Sequence, residues 1–157
     1  MRAALLCVGK LKEAYWRDAC AEYLKRLTRY GQVELLEVPD APEPAIASPA
    51  ANAQVMKAEG ERLLAKLRPD DVVVALAING KTYTSEGFAA HVEQLMLRGR
   101  MVFVIGGSLG LSDEVYARAN ERISFSTLTY PHQMMRVIFL EQLYRACRIN
   151  AGEPYHK

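Results

Sequence analysis

The sequence has little of several features that mark particular classes of protein. Its 157 residues include three cysteines, with no CxxC pair and no His/Cys cluster, so neither a zinc site nor a redox pair is indicated. Twenty Lys and Arg residues against eighteen Asp and Glu give a formal net charge of +2, without the broad basic field of a general nucleic-acid binder. No apolar run approaches transmembrane length, and residues 3–8 are too short for a signal-peptide core. We expect a soluble, cytoplasmic protein with reduced, buried thiols and no metal.

The length suits one domain, residues 1–157, with a single substantial core. Short apolar runs predict five strands, at residues 3–8, 33–38, 72–78, 101–105 and 123–126. Helical patterns separate them, at residues 12–30, 53–67, 85–97 (capped by Ser85), 113–119 (capped by Ser112) and 132–149. This alternation predicts an α/β sandwich with a mostly parallel sheet. Residues 39–49 carry four prolines and predict an irregular connection or a mobile lid.

The final predicted helix is apolar on nearly all sides. Val137, Leu140, Tyr144 and Cys147 form one stripe at helical spacing, and other apolar residues cover most of the rest. Such a helix is buried on nearly all sides, which suggests packing against its own sheet and against a second subunit. The alternative is an ordinary core helix. His91, among polar neighbours, is interpreted as a surface residue.

Two motifs resemble nucleotide-binding loops but depart from them. The Gly80-Lys81-Thr82 sequence has the ending of a P-loop, yet Ala75 stands where the first glycine is required. The loop that begins at Gly106 follows a strand without the G-x-G-x-x-G spacing, and it leads into Asp113 and Glu114, which would repel a pyrophosphate. The sequence therefore argues against NAD or ATP in these loops.

Three predicted strand ends remain as candidates for a binding pocket. They are Leu76, the loop from Gly106 to Gly110, and the turn at residues 125–130. Open α/β sheets bind ligands at the carboxyl ends of their strands, and these residues offer backbone amides, small hydroxyls and apolar side chains. Such a pocket suits adenine without phosphates, as in S-adenosyl-methionine. The alternative is that these glycines serve tight turns and nothing more.

Four segments resemble the ribosomal RNA large subunit methyltransferase H family, which belongs to the SPOUT class. They are residues 105–112 (IGGSLGLS), 124–137 (SFSTLTYPHQMMRV), 140–146 (LEQLYRA) and 152–157 (GEPYHK), and residues 8–16 and 58–61 extend the resemblance across essentially the whole chain. The resemblance implies a C-terminal trefoil knot, a homodimer with cofactor sites near the subunit interface, and methyl transfer from S-adenosyl-methionine to N3 of a pseudouridine in 23S ribosomal RNA. The implied cofactor contacts are Leu76, Gly106, Phe125, Ser126, Thr127, Leu128, Thr129 and Tyr130.

Methylation at N3 requires a base that accepts the proton on that nitrogen, or a group that stabilises the negative charge left on the base. His132 and, from the C-terminal tail, Tyr155 and His156 are the candidates, and Arg136 can offset negative charge on the base or on a phosphate. His132 has an alternative role, in which it only caps or braces the turn.

The low net charge indicates a folded ribosomal particle as substrate rather than free RNA. Basic residues of the first helix and its entry either contact phosphates or form a solvated face: Lys10, Lys12, Arg17, Lys25, Arg26 and Arg29. The rival functions are a non-catalytic ribosome-associated nucleotide-binding module and an enzyme acting on a small nucleotide.

Overall fold

In the computed structural model, which describes residues 1–155, five strands form one all-parallel sheet. The strands are β1 (Arg2–Val8), β2 (Gln32–Val38), β3 (Val72–Lys81), β4 (Met101–Ile105) and β5 (Glu121–Ile123), in the spatial order β2-β1-β4-β3-β5. The predicted α/β class with a parallel sheet is confirmed. β1 and β4 lie in the centre of the sheet, which explains why they are continuous apolar runs.

Helices cover both faces of the sheet. They are α1 (Ala14–Leu27), α2 (Pro49–Leu64), α3 (Ser85–Met96), α4 (Asp113–Arg118) and α5 (His132–Asn150). Alternate β1 residues serve the two faces: Leu5 and Cys7 belong to the core cluster with α1, α3 and α5, and Leu6 and Val8 to the cluster with α2 and α4. None of the helices within residues 1–155 is both long and apolar enough to cross a membrane.

One helix start and one helix cap differ from the predicted ones. Helix α2 begins at Pro49, four residues before the predicted start, since the Ser48 hydroxyl accepts the backbone N–H of Ala51 at 3.1 Å. Helix α3 is capped by Thr84 and not by Ser85, because the Thr84 hydroxyl accepts the N–H of Gly87 at 3.0 Å.

The third and fifth strands meet in an irregular pairing that the sequence did not predict. Both Leu76 and Lys81 pair with Ile123, so β3 passes this residue twice, and the Asn79-Gly80 pair, a sequence typical of turns, lies inside the strand. A Cβ at Gly80 would lie 2.4 Å from the carbonyl carbon of Ile123, a distance that excludes any larger residue there. The trefoil knot expected from the resemblance stays a prediction.

The predicted fifth strand, residues 123–126, was wrong in its position. The strand ends at Ile123, and the chain then turns, because the Ser124 hydroxyl donates to the Ser126 carbonyl at 2.8 Å and the Ser126 hydroxyl accepts the Leu128 N–H at 2.9 Å. We call residues 124–131 the hydroxyl turn. Local side-chain bonds of this kind compete with strand pairing.

The burial of α5 follows the sequence prediction, with one polar exception. Leu140, Tyr144 and Cys147 are buried and Val137 is half-buried, whereas Arg136, a charged residue on the same helix, is 0% exposed. The predicted surface position of His91 was also wrong. Its ring is half-buried, lies 2.8 Å from a Glu121 carboxylate oxygen and stacks on Tyr83.

The prediction of buried, reduced thiols is confirmed for all three cysteines. Cys7, Cys20 and Cys147 are free and buried. Burial raises the pKa of Cys7 to about 12 and those of Cys20 and Cys147 to about 11, so these thiols stay protonated and unreactive at neutral pH.

Candidate functional site

A cavity of about 820 Å³ lies where β3, β4 and β5 end, at the carboxyl edge of the sheet. Its walls come from the irregular end of β3, the loop after β4, the hydroxyl turn and the first turn of α5. The volume is in the range of cofactor sites. None of the described residues that line it is Lys, Arg, Asp or Glu, so its walls lack the cations that a phosphate needs. The arrangement suits a ligand bound by shape and by backbone hydrogen bonds.

The loop after β4, residues 106–111, is here called the glycine loop. It closes on itself through a hydrogen bond from the Gly110 N–H to the Gly107 carbonyl at 3.1 Å. Gly110 has a φ of +91°, and a Cβ at Gly106 would lie 2.6 Å from the carbonyl carbon of Gly110. Both positions therefore require glycine, one for its φ and one for the close approach of two backbone segments. The loop presents its backbone to the cavity.

The hydroxyl turn forms the opposite wall and is anchored in the core by Phe125. The Phe125 ring packs against Phe88 of α3 at a centroid distance of 5.3 Å and against Phe139 of α5 at 6.2 Å. The Ser124 N–H donates to the Lys81 carbonyl at 2.9 Å, which ties the turn to the end of β3. The rigid packing of one aromatic side chain thus fixes the position of a polar turn.

The structure brings most of the predicted cofactor contacts to this cavity. The lining includes Leu76, Gly106, Phe125, Ser126, Leu128, Thr129 and Tyr130. Thr127 is exposed and does not line it. The role of all eight residues as cofactor contacts stays a prediction, but seven of them share one cavity.

His132, the first residue of α5, lines the same cavity. Burial lowers the pKa of its imidazole below 6.5, and the charge of Arg136 lowers this pKa further, while Asp40 opposes the shift. The ring is therefore neutral at pH 7 and able to accept a proton. The alternative capping role has no support from the helix start, because Pro131 occupies the cap position and no side-chain cap bond is formed there.

Arg136 lies one turn further along α5 and is directed away from the cavity. Its guanidinium donates to the Glu37 carboxylate at 2.7 Å, to the Val8 carbonyl at 2.7 Å and to the Gly9 carbonyl at 3.0 Å. It does not line the cavity, so these contacts are those of a structural clamp between α5 and the ends of β1 and β2. In this arrangement the Arg136 guanidinium does not reach the cavity, so its predicted role of offsetting charge on a ligand is not supported.

The two predicted tail residues do not join this cavity. The Tyr155 hydroxyl donates to a Glu141 carboxylate oxygen at 3.1 Å and its ring packs against Tyr144, outside the cavity lining. Burial and then the hydrogen bond to Glu141 raise the pKa of Tyr155 to about 12. Its hydroxyl therefore stays protonated at neutral pH and is a poor proton acceptor. His156 lies outside the residues that the structure describes.

Sequence reasoning missed several residues of the cavity wall. They are Ala77, Ile78 and Asn79 from the irregular end of β3, together with Tyr116 of α4 and Met135 of α5. The Asn79-Gly80 pair is typical of a turn, and nothing in a single sequence shows that β3 resumes at Lys81 beside Ile123.

Several of the basic residues near α1 are already engaged in contacts within the chain. Arg26 pairs with Glu22 at 2.7 Å, Arg29 pairs with Glu153 at 2.5 Å, and Arg17 donates to the carbonyls of Leu11 and Lys12. Lys10, Lys12 and Lys25 are exposed. Residues 1–155 contain no group of three or more His, Cys, Asp or Glu side chains arranged to hold a metal ion.

Comparison with known proteins gives the class. Residues 1–156 match the model of a family described as predicted SPOUT methyltransferase. The fold is shared with a probable methylase family protein from Haemophilus influenzae Rd KW20 (TM-score 0.57, 14% identity, 99% of this chain and 70% of that chain). It is also shared with a probable methyltransferase from Bordetella pertussis Tohama I (TM-score 0.55, 16% identity, 93% of this chain and 94% of that chain). The fold and the matched family define a SPOUT methyltransferase.

Curated relatives narrow the class further. The chain is 55% identical to the ribosomal RNA large subunit methyltransferase H of Bifidobacterium animalis subsp. lactis, over 100% of both chains. It is 54% identical to the protein of the same name from Listeria monocytogenes serovar 1/2a, again over 100% of both chains. The chain belongs to the ribosomal RNA large subunit methyltransferase H family.

Proposed function

We propose that this protein transfers a methyl group from S-adenosyl-methionine to N3 of a pseudouridine in large-subunit (23S) ribosomal RNA. The observation that carries the proposal is the cavity at the carboxyl edge of the sheet, in a chain 55% identical to a protein named for large-subunit ribosomal RNA methylation. The proposal includes a cytoplasmic location, because ribosomal RNA is the proposed substrate.

The cavity walls fit the proposed cofactor. S-adenosyl-methionine combines an adenosine with a short amino-acid arm and carries no phosphate, and the described lining is likewise without Lys or Arg. The glycine loop and the hydroxyl turn would hold it, because both present backbone groups beside small or apolar side chains. When bound, the cofactor supplies a methyl group on a sulfonium, which is already a strong electrophile. The protein's own task is to position the acceptor base and remove its proton.

His132 is the proposed acceptor for the proton on N3. It is the one imidazole in the described cavity lining, and its lowered pKa leaves the ring neutral at pH 7. N3 of a pseudouridine carries a proton that ties up its lone pair, so a neutral imidazole at the cavity wall supplies what the reaction needs. Arg136, buried behind it on α5, is assigned a positioning role and not a catalytic one.

The His132→Gln variant is expected to lose turnover by roughly 10²- to 10⁴-fold while it keeps its affinity for S-adenosyl-methionine. The wild-type rate is expected to fall on the acid side, through a pKa below 6.5, because protonation removes the acceptor. This limb is expected to be absent from the variant. Single-turnover methylation across pH measures both effects, and a variant with wild-type turnover would place the proton acceptor elsewhere.

The proposal includes a homodimer as the active form. In the single chain, Met134, Met135, Val137 and Ile138 on α5 are only half-buried, and Ile78 and Leu128 at the cavity are exposed. A second copy would cover these apolar side chains and lie beside the cavity. Sedimentation equilibrium at micromolar concentration measures the state, and a chain that stays monomeric together with full activity would contradict this part.

We further propose that the substrate is the assembled ribosome and not free RNA. The formal net charge of +2 and the internal engagement of Arg17, Arg26 and Arg29 leave little charge for binding an extended RNA. Recognition of a folded particle supplies shape as well as charge.

The test is transfer of labelled methyl from S-adenosyl-methionine to ribosomes that lack this modification, with naked 23S RNA as the matched control. We expect label at N3 of a pseudouridine in the ribosome and little in naked RNA. The second candidate, a non-catalytic ribosome-associated nucleotide-binding module, predicts binding to the particle without any transfer of label.

A further inference from the structure

One buried acid outside the cavity lining is not used by the proposed mechanism. Glu59, on α2, is 5% exposed. One carboxyl oxygen accepts the backbone N–H of Ala41 at 3.0 Å, and the other, Oε2, is buried without a hydrogen-bond partner in the described part of the chain. A buried polar atom without a partner costs stability, so its presence needs an explanation.

The unpartnered oxygen faces the back of the glycine loop. A Cβ built on Gly107 would lie 2.8 Å from Glu59 Oε2 and 3.2 Å from a methyl carbon of Val8. Gly107 itself lines the cavity on its other side. Glu59 is therefore separated from the proposed cofactor site by the thickness of one glycine backbone.

Gly60, the next residue of α2, packs closely against Ser112, which directly follows the glycine loop. A Cβ at Gly60 would lie 2.3 Å from the Ser112 hydroxyl oxygen, and that hydroxyl caps α4. The Glu59-Gly60 pair thus contacts the glycine loop near its start and the chain just after its end. By accepting the Ala41 N–H, Glu59 also binds the proline-rich segment, residues 39–49. The Ser108 hydroxyl of the glycine loop makes a second contact with this segment by donating to Glu43 at 2.8 Å.

Burial is the main influence on the pKa of the Glu59 carboxyl, and it favours the neutral form. Burial raises the pKa of the carboxyl, and the neighbouring Asp40 and Glu43 raise it further, while the Ala41 N–H and Arg62 act in the opposite direction. The glycine loop, residues 106–111, contributes no charged side chain. A neutral carboxyl keeps one acceptor oxygen for Ala41 and gains one donor directed at the loop.

We propose that Glu59 is a positioning residue that sets the location of Gly107 from behind and thereby sets the affinity of the cavity for S-adenosyl-methionine. It acts through the backbone of the glycine loop and touches no reacting atom. The inference rests on the proposed cofactor, and it adds a residue from α2 to a site whose walls come from the ends of β3 and β4, the hydroxyl turn, α4 and α5.

Two replacements separate the polar role of Glu59 from its volume. Glu59→Met fills the space without the hydrogen bond to Ala41, whereas Glu59→Gln keeps the shape and the acceptor oxygen. Calorimetry with S-adenosylhomocysteine is expected to show affinity lower by about tenfold or more for the Met variant and within about threefold of wild type for the Gln variant. Glu61→Met, the same replacement at an exposed position of the same helix, is the matched control and is expected to bind as wild type does.

The pH dependence of the affinity for S-adenosylhomocysteine distinguishes a positioning role of the Glu59 carboxyl from a purely structural one, which would leave this dependence unchanged. Wild type and Glu59→Gln are expected to agree at the acid end of the pH range in which the protein stays folded, and wild-type affinity is expected to fall below that of the Gln variant as the pH rises and the carboxyl ionises. Comparing the two proteins removes the titration of the ligand itself. Parallel profiles of the two proteins across the whole pH range would overturn the inference.

The outcomes distinguish this inference from the function on which it rests. If the wild-type protein binds neither S-adenosyl-methionine nor S-adenosylhomocysteine, the proposed function fails. If wild type binds and Glu59→Met binds equally well, this inference alone fails. Should the Met variant not fold, the pH profiles of wild type and Glu59→Gln decide: profiles that diverge as the carboxyl ionises support the inference, and parallel profiles overturn it.

Discussion

Replacing Arg136 with methionine is expected to lower the free energy of unfolding by about 3–5 kcal/mol, because it breaks a buried ion pair from one side. The Arg136 guanidinium is 0% exposed and donates to the Glu37 carboxylate and to the carbonyls of Val8 and Gly9. Methionine leaves all three acceptors without this donor. Denaturant unfolding measures the change, and cofactor affinity is expected to fall along with stability.

The control for this variant is Arg26→Met, which removes an exposed pair with Glu22 on α1. Its unfolding midpoint is expected to stay close to that of wild type, because exposed pairs one helical turn apart contribute little. If Arg136→Met unfolds at the wild-type midpoint but loses methyl transfer, Arg136 acts on the substrate and the clamp interpretation is wrong.

Replacing Gly106 with alanine is expected to open the glycine loop and weaken cofactor binding by about 10- to 100-fold, from strain of about 1–3 kcal/mol. The added methyl carbon would lie 2.6 Å from the carbonyl carbon and 2.7 Å from the carbonyl oxygen of Gly110. Both are backbone atoms, so no side chain can move aside. Calorimetric titration with S-adenosyl-methionine measures the loss.

Gly87→Ala is the matched control for this loop substitution. It lies in the first turn of α3, away from the cavity, and the atom nearest to the added methyl group would be the Thr84 hydroxyl oxygen at 3.2 Å, with no backbone atom closer. It is expected to bind the cofactor as wild type does. Wild-type affinity in Gly106→Ala would mean that the loop is not part of the cofactor site.

The core of the fold could be predicted from the sequence because its signals are local. The runs at β1 and β4 are apolar at every position from residue 3 to 8 and from 101 to 105, which marks strands covered on both faces. Ser112 followed by Asp113 and Glu114 marked the start of α4 correctly. The strand order is not a local property, and no pattern in the sequence places β3 between β4 and β5.

The general position of the candidate site, at the carboxyl ends of the strands, could also be predicted from the sequence. Leu76, Gly106 and the hydroxyl turn were expected to meet because parallel strands end at one edge of a sheet. The second passage of β3 along Ile123, which adds Ile78 and Asn79 to the cavity wall, depends on a contact between segments some forty residues apart.

The role of Arg136 could not be predicted from the sequence. A single arginine near a predicted site looks like a catalytic group, and only the positions of Glu37, Val8 and Gly9 reveal a clamp. The burial of Glu59 could not be predicted for the same reason, because an acid on a helix face is buried only by neighbours from other parts of the fold.

The most direct measurement is a crystal structure of the protein with S-adenosylhomocysteine bound. The ligand is expected in the cavity between the glycine loop and the hydroxyl turn, in contact with Gly106 and Leu76 and with His132 at its rim. A ligand seated at another place on the chain, with this cavity left to solvent, would contradict the account.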